Sequence, residues 1–209
     1  MENIRYKYPR TLHLPWSDGR TTDDKVCKSV DHFIGHEVVV TEKMDGENTS
    51  IYKDFFHARS TNSNKHPSRN LVSKLQSELQ HELSYGFRIC GENCYAKHSI
   101  EYTGLESYFL AFSVWEGRKC LSWQDTETWC KLLNLTMVPI LYKGIFDEKI
   151  IKSLYVDNGQ MEGYVVRKAS SFLYDDFLTS VAKFVRQNHV QTSEHWMHAE
   201  IIPNTLKEN

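Results

Sequence analysis

Three consecutive valines at 38–40, followed by Thr41 and Glu42, form a β-branched run that predicts a strand over 37–42. Asp45-Gly46 then gives a turn signal, and 49–59 predicts further strand. Leu71, Leu75, Leu79 and Leu83 recur every four residues in a polar background, the stripe of an amphipathic helix. Residues 86–95 and 108–115 read as strands. Ser122 with Asp125 three positions on predicts an N-capped helix over 123–134. A short strand near 138–142, a short helix near 147–155 and strands at 163–167 and 180–186 complete the pattern. Two stretches break it. Residues 1–35 carry Pro9, Pro15, Gly19 and a polar run from Thr21 to Asp24, and 61–70 are polar and basic. Strands and helices mix without a strict βαβ alternation, which predicts an α+β fold with antiparallel sheets.

Length and composition narrow this only a little. The 209 residues suit a single domain, with 1–35 as an irregular N-terminal segment and 187–209 as a short tail or helix. A net charge of −2 gives no global attraction for nucleic acid, so such a partner requires a local basic patch. Five scattered cysteines, at 27, 90, 94, 120 and 130, predict reduced thiols. The start of the chain lacks an apolar secretory core, and no run reaches the length of a membrane span. The expectation is a soluble, cytoplasmic protein with no membrane partner.

The chemistry centres on Thr41-Glu42-Lys43-Met44-Asp45-Gly46. A lysine amine with an ordinary pKa of about 10.4 is protonated at neutral pH. To become a nucleophile it must lose its proton through desolvation or a nearby cation. Lys-x-Asp-Gly alone arises by chance in about one chain in twenty of this length, and alone it fits a β-turn beside a surface lysine. Four further segments follow in order, however: Phe87 to Asn93, Tyr108 to Val114, Glu162 to Arg167 and Val181 to Arg186.

This ordered set resembles the covalent nucleotidyltransferase superfamily of ATP-dependent DNA ligases, RNA ligases and mRNA capping enzymes. Tyr8-Pro9-Arg10-Thr11, His57-Ala58-Arg59-Ser60, Lys97-His98-Ser99-Ile100 and the run from Lys183 to His189 are most similar to small RNA ligases. The resemblance implies a nucleotidyltransferase (ATP-grasp-like) fold, with antiparallel sheets and flanking helices around a nucleotide cleft. It implies that Lys43 attacks ATP to form a lysyl-AMP intermediate, and that Asp45 orients Lys43 and later the attacking ribose hydroxyl. The resemblance further implies that Glu92 accepts a hydrogen bond from the ribose, that Phe112 stacks on adenine, that Glu42 belongs to the nucleotide-binding set, that Glu162 holds Mg2+ (or Mn2+) and that Lys183 contacts the α-phosphate. Val181 stands where some relatives carry a second lysine, which makes Arg186 the candidate for that charge. Arg59 resembles an arginine near the ribose or the RNA 3′ end, with Arg10 and Arg167 as weaker phosphate candidates.

The implied activity is sealing of RNA with a 5′-phosphate to a 3′-hydroxyl, with an end-healing kinase or phosphatase as a candidate partner. A DNA ligase or a GTP-using capping enzyme usually carries an oligonucleotide-binding domain after the last motif, whereas here only 187–209 follow. A non-catalytic module that holds nucleic-acid ends needs no Lys43. The motifs leave open an enzyme that adenylylates something else, and whether a nick, a tRNA break or free ends are sealed. Lys65, His66, Arg69, Lys97, His98, Lys168 and Arg186 are candidates for gripping phosphates. Cys90, Cys94 and His98 lack a fourth ligand at zinc-like spacing, and His189, His195 and His198 do not match a zinc pattern.

Overall fold

The computed structural model describes residues 4–61, 66–154, 156, 159–187 and 201–208. In chain order its strands are β1 (Leu12–His13), β2 (Glu37–Lys43), β3 (Glu47–Tyr52), β4 (Phe56–Ala58), β5 (Phe87–Asn93), β6 (Thr103–Leu105) and β7 (Phe109–Glu116). There follow β8 (Lys119–Cys120), β9 (Ile140–Ile145), β10 (Gly163–Lys168), β11 (Phe172–Leu173), β12 (Val181–Val185) and β13 (Thr205–Leu206). The α-helices are α1 (Asn70–Leu79), α2 (Trp123–Leu132) and α3 (Glu148–Lys152).

Two sheets face each other. The first has the order β1-β12-β10-β2-β9 and the second β11-β8-β7-β5-β3-β4, while β13 pairs with β6 apart from both. All pairings in the two large sheets are antiparallel except that of β1 with β12. The turn Met44–Gly46 carries the chain from β2 in the first sheet to β3 in the second. Gly46 is required there by space: a Cβ would sit 2.6 Å from the Asn93 carbonyl oxygen.

Val38, Val39 and Val40 are all fully buried because β2 is covered on both faces. Val38 and Val40 join Tyr164, Val166 and Ala182 in a core with Phe33, Phe146 and Ile151. Val39 points the other way, into a cluster with Trp123 and Leu110 between the sheets. That second face of the first sheet is the one that reaches the cleft.

Several expected elements shift. The strand expected over 49–59 is two strands, β3 and β4, and the one near 138–142 begins at Ile140. In the leucine stripe, α1 ends at Leu79 and Leu71 is exposed, while Val72, Leu75, Leu79 and Leu83 pack against the second sheet. A four-residue repeat overshoots a helical turn by about 40° each step, so the leucines cannot all share one face. The Ser122 cap forms as expected, its Oγ accepting from the Asp125 amide at 3.1 Å. The N-terminal segment is less irregular than its composition implies. Leu12–His13 adds a strand beside β12, and the Leu14 amide donates to the Lys183 carbonyl at 2.7 Å. All five cysteines are buried free thiols. Among the described residues, no helix is long and apolar enough to cross a membrane.

Candidate active site

Register places the key side chains. Thr41, Val165 and Lys183 lie side by side across β2, β10 and β12, and Lys43 lies opposite Gly163. Beyond the turn, Asn48 of β3 is opposite Glu92 of β5. A cavity of about 240 Å3 opens between these walls. Seven of the site candidates from the sequence line it: Arg10, Glu42, Lys43, Arg59, Glu92, Phe112 and Lys183. Glu162, just before β10, does not line the cavity but holds Lys43, whose Nζ donates to its Oε2 at 2.5 Å. The lysine side chain is 23% exposed and the glutamate 8%.

Gly163, which follows Glu162, lets β10 lie close against β12. A Cβ there would fall 2.0 Å from the Phe184 carbonyl oxygen, inside the β10–β12 ladder. Gly163→Ala is expected to destabilise the protein by about 1–3 kcal/mol, measured by chemical denaturation. A midpoint equal to wild type would show that the ladder tolerates a side chain at this position.

The charges in the cleft are unbalanced. Burial pulls the Lys43 amine down, but the carboxylates of Glu162 and Glu92 outweigh it, so the net shift is upward and the ammonium form is held. Desolvation alone therefore does not activate this lysine, which leaves a cation engaging its carboxylate partners as the remaining expected route. The Glu92 carboxyl is pushed up to about 8, first by burial, with Lys43 opposing and Glu162, Asp45 and Glu47 adding to the rise. Lys183 is shifted down by burial and by the nearby Lys43 ammonium. Beside it on β1, burial and Lys183 push His13 down to about 4, so it is neutral at pH 7.

Glu92 makes stability depend on pH in a defined direction. Its value in the folded state lies above the ordinary carboxyl value of 4.5, so the folded state binds the extra proton between the two. That contribution is fully present below about 4.5 and is lost as pH rises through about 8. Glu92→Gln is expected to flatten the fall in melting temperature across this window relative to wild type. Parallel melting profiles for the two proteins would refute the assignment.

The model of the RNA ligase family matches residues 36–185, well over half of the sequence. The chain belongs to the RNA ligase family. None of the curated proteins matches it in sequence. Among solved structures it is similar to an archaeal ATP-dependent RNA ligase, with TM-score 0.58 and 17% identity over 88% of this chain and 48% of that one. It is also similar to a Naegleria gruberi RNA ligase mutant with ATP and Mn, with TM-score 0.53 and 17% identity over 89% of this chain and 59% of that one. A second Naegleria gruberi mutant, with AMP and Mn, gives TM-score 0.51 and 18% identity over 75% of this chain and 52% of that one. The chain thus spans about half the length of the solved ligases it matches. The α+β fold with antiparallel sheets is that of these RNA ligases.

Other residues singled out from the sequence take different places in this chain. The Asp45 carboxylate accepts from the Ser99 and Ile100 amides at 2.7 and 2.8 Å, anchoring the loop after β5 to the lysine turn. Arg186 donates from Nε to the Met161 carbonyl at 2.7 Å, and its amide donates to the Glu162 carbonyl. It braces the approach to β10 and does not line the cavity. Arg167 is drawn into the core instead of the cleft: it donates to the Leu121 carbonyl at 2.9 Å and lies over the Trp123 and Phe172 rings. Arg69 is likewise buried, its Nε donating to Glu47 at 2.6 Å and its Nη2 pairing with the other oxygen of the same carboxylate. Lys97 pairs with Glu101. Lys65, His189, His195 and His198 lie outside the described residues.

Phe112 shows where strand parity fails. Alternation along an unbroken strand puts Tyr108, Phe112 and Val114 on one face, with Phe109 on the other. In the structure Cys90 pairs with Ser113 and Gly91 with Ala111, so Phe112 is the extra residue of a β-bulge. Val114 therefore rejoins Phe109 and Ala111 in the core, while Phe112 turns to the cleft. Tyr8 packs edge-on against Phe112 with ring centroids 5.4 Å apart.

Tyr8, Arg10, Thr11 and Asp24 bring the N-terminal segment into the cavity wall. The resemblance signalled 8–11, but nothing singled out Asp24, which sits in an ordinary polar run. Its Oδ2 accepts from the Thr21 amide at 2.9 Å, and its other oxygen lies 3.5 Å from His13. Asn48 was also missed. It becomes visible as a cleft residue only once β3 is paired with β5.

Proposed function

We propose that this protein is an ATP-dependent RNA ligase that forms a covalent lysyl-AMP at Lys43, transfers AMP to a 5′-phosphate end and seals that end to a 3′-hydroxyl. The single observation that carries the reading is the contact of Glu162 with Lys43, which lines one cavity together with Glu92, Phe112 and Lys183. A lysine used only as a surface charge does not need two carboxylates and a second lysine around it. Membership of the RNA ligase family and the solved ligases with ATP or AMP and Mn support the same reading.

In the first step the Lys43 amine attacks the α-phosphorus. A P–N bond forms, the P–O bond to pyrophosphate breaks, and the amine gives up its proton. Lys183 stabilises charge developing on the α-phosphate oxygens. Phe112 offers its ring to the base, and Glu92 accepts from the ribose.

In this reading a divalent cation is held at Glu162. Glu162 would supply one carboxylate oxygen, and because no group of three or more His, Cys, Asp or Glu side chains among the described residues could hold a metal by itself, water and the nucleotide's phosphates would complete the shell. A cation held by Glu162 would supply positive charge that competes for the carboxylate holding the Lys43 proton. Asp45 and Arg186 keep the lysine turn and the approach to β10 in place while the ligands change.

The test is a three-way comparison of end joining. The protein is supplied with ATP, magnesium and a 5′-phosphorylated strand of RNA or of DNA, or with a 5′-hydroxyl RNA. Joining only of 5′-phosphorylated RNA supports the reading. Joining of DNA at an equal rate contradicts the RNA preference, and no joining of any strand contradicts ligase activity.

A further inference from the structure

A second groove, of about 590 Å3, opens from the edge of the nucleotide cavity. Lys7, Arg10, Arg59, Ser60 and Tyr174 line it, and no carboxylate does. The whole chain carries slightly more acidic than basic side chains, 27 against 25, so this local balance runs against the bulk. Lys7 and Arg59 have no ion-pair partner among the described residues. Arg10 is partly satisfied, donating to the Asp23 carbonyl at 3.1 Å and lying 3.6 Å from Asp24.

The groove is built, not a chance meeting of mobile charges. Its two sides come from segments about fifty residues apart, one around Lys7 and one at the end of β4. Tyr174 fixes the first by donating its hydroxyl to the Lys7 carbonyl at 2.7 Å. Arg88, buried beneath, donates to the Tyr6 carbonyl at 2.7 Å, and the Tyr8 ring packs edge-on against Phe177. The segment is therefore held to the second sheet on either side of Lys7.

Tyr8, Pro9, Arg10 and Arg59 line both the groove and the nucleotide cavity, so one ligand can run from the first into the second. A free phosphate is too small to span them. A polynucleotide strand has phosphates at regular intervals for the separate cations, and its end can enter the cavity while its body stays in the groove.

We propose that this groove seats the 5′-phosphorylated RNA strand, with its terminal phosphate passing Arg10 and Arg59 into the cavity and an internal phosphate on Lys7. The inference rests on the ligase reading above for the identity of the strand. It adds a grip for that strand within the N-terminal segment and the end of β4.

Binding of a short 5′-phosphorylated RNA, followed by fluorescence anisotropy, tests it with Lys7→Glu and Ser60→Asp. Both residues are exposed and neither lines the nucleotide cavity. Each variant is expected to bind about tenfold more weakly at low salt, with a shallower salt dependence for Lys7→Glu. Labelling of Lys43 by ATP in the same preparations is expected to stay at the wild-type rate. Wild-type RNA affinity in both variants overturns the groove, as does a parallel loss of labelling, which places the effect in the cavity. If the wild type binds RNA through the groove but never labels Lys43, the ligase reading fails and the groove stands.

Discussion

Lys43→Ala is expected to abolish ATP-dependent sealing of 5′-phosphorylated RNA, by at least about a thousandfold, because the nucleophile of the first step is gone. Sealing of a strand that already carries AMP on its 5′ end is expected to survive within about tenfold of wild type. That strand bypasses the lysine and needs only the rest of the cleft. The substitution also leaves the buried Glu162 carboxylate without the amine 2.5 Å away. A loss of stability of about 1–3 kcal/mol follows, at the low end for a broken pair because the lysine is 23% exposed. Melting curves therefore accompany the assay, and the pre-adenylylated strand shows that the variant is folded. Loss of sealing on both strands would place the effect in the fold and not in the nucleophile.

Glu162→Gln sets two effects against each other. Glu162 is the strongest influence holding the proton on Lys43, so its removal by itself makes the amine easier to deprotonate. Under the proposed mechanism the same carboxylate also holds the divalent cation, and losing one such electrostatic group costs about 100–1000-fold in rate. The second effect is the larger. Lys43 labelling by ATP is expected to fall by at least about 100-fold, while the rising limb of its pH–rate profile moves to lower pH. A rate within about threefold of wild type would show that the carboxylate only parks the lysine. A fall in rate without a shift of the limb would show that it does not hold the proton.

The longer elements were legible because their residues are locally consistent. The Val38–Val40 run, the Ser122 cap and the α1 stripe all announce the element they form, although the leucine spacing misplaced the buried face at Leu71. Two-residue strands such as Leu12–His13 and Phe172–Leu173 carry no period to read, and their place is set by partners far away in sequence. The cleft was legible mainly through the order of its motifs. Lys43 and Glu162 are 119 positions apart, and only the β2–β10 ladder brings them together. The bulge that turns Phe112 into the cleft has no mark in the sequence, and parity assigned Val114 to the wrong face. Arg69 and Arg167 read as phosphate candidates because charge type alone does not reveal a buried carboxylate or a pair of rings waiting for it.

The most direct test of the central claim is the mass of the protein after incubation with ATP and magnesium, followed by peptide mapping of the modified site. The account predicts a gain of one AMP per chain, attached through an acid-labile bond to the peptide containing Lys43 and absent from Lys43→Ala. An unmodified mass, or AMP carried on another residue, would contradict it.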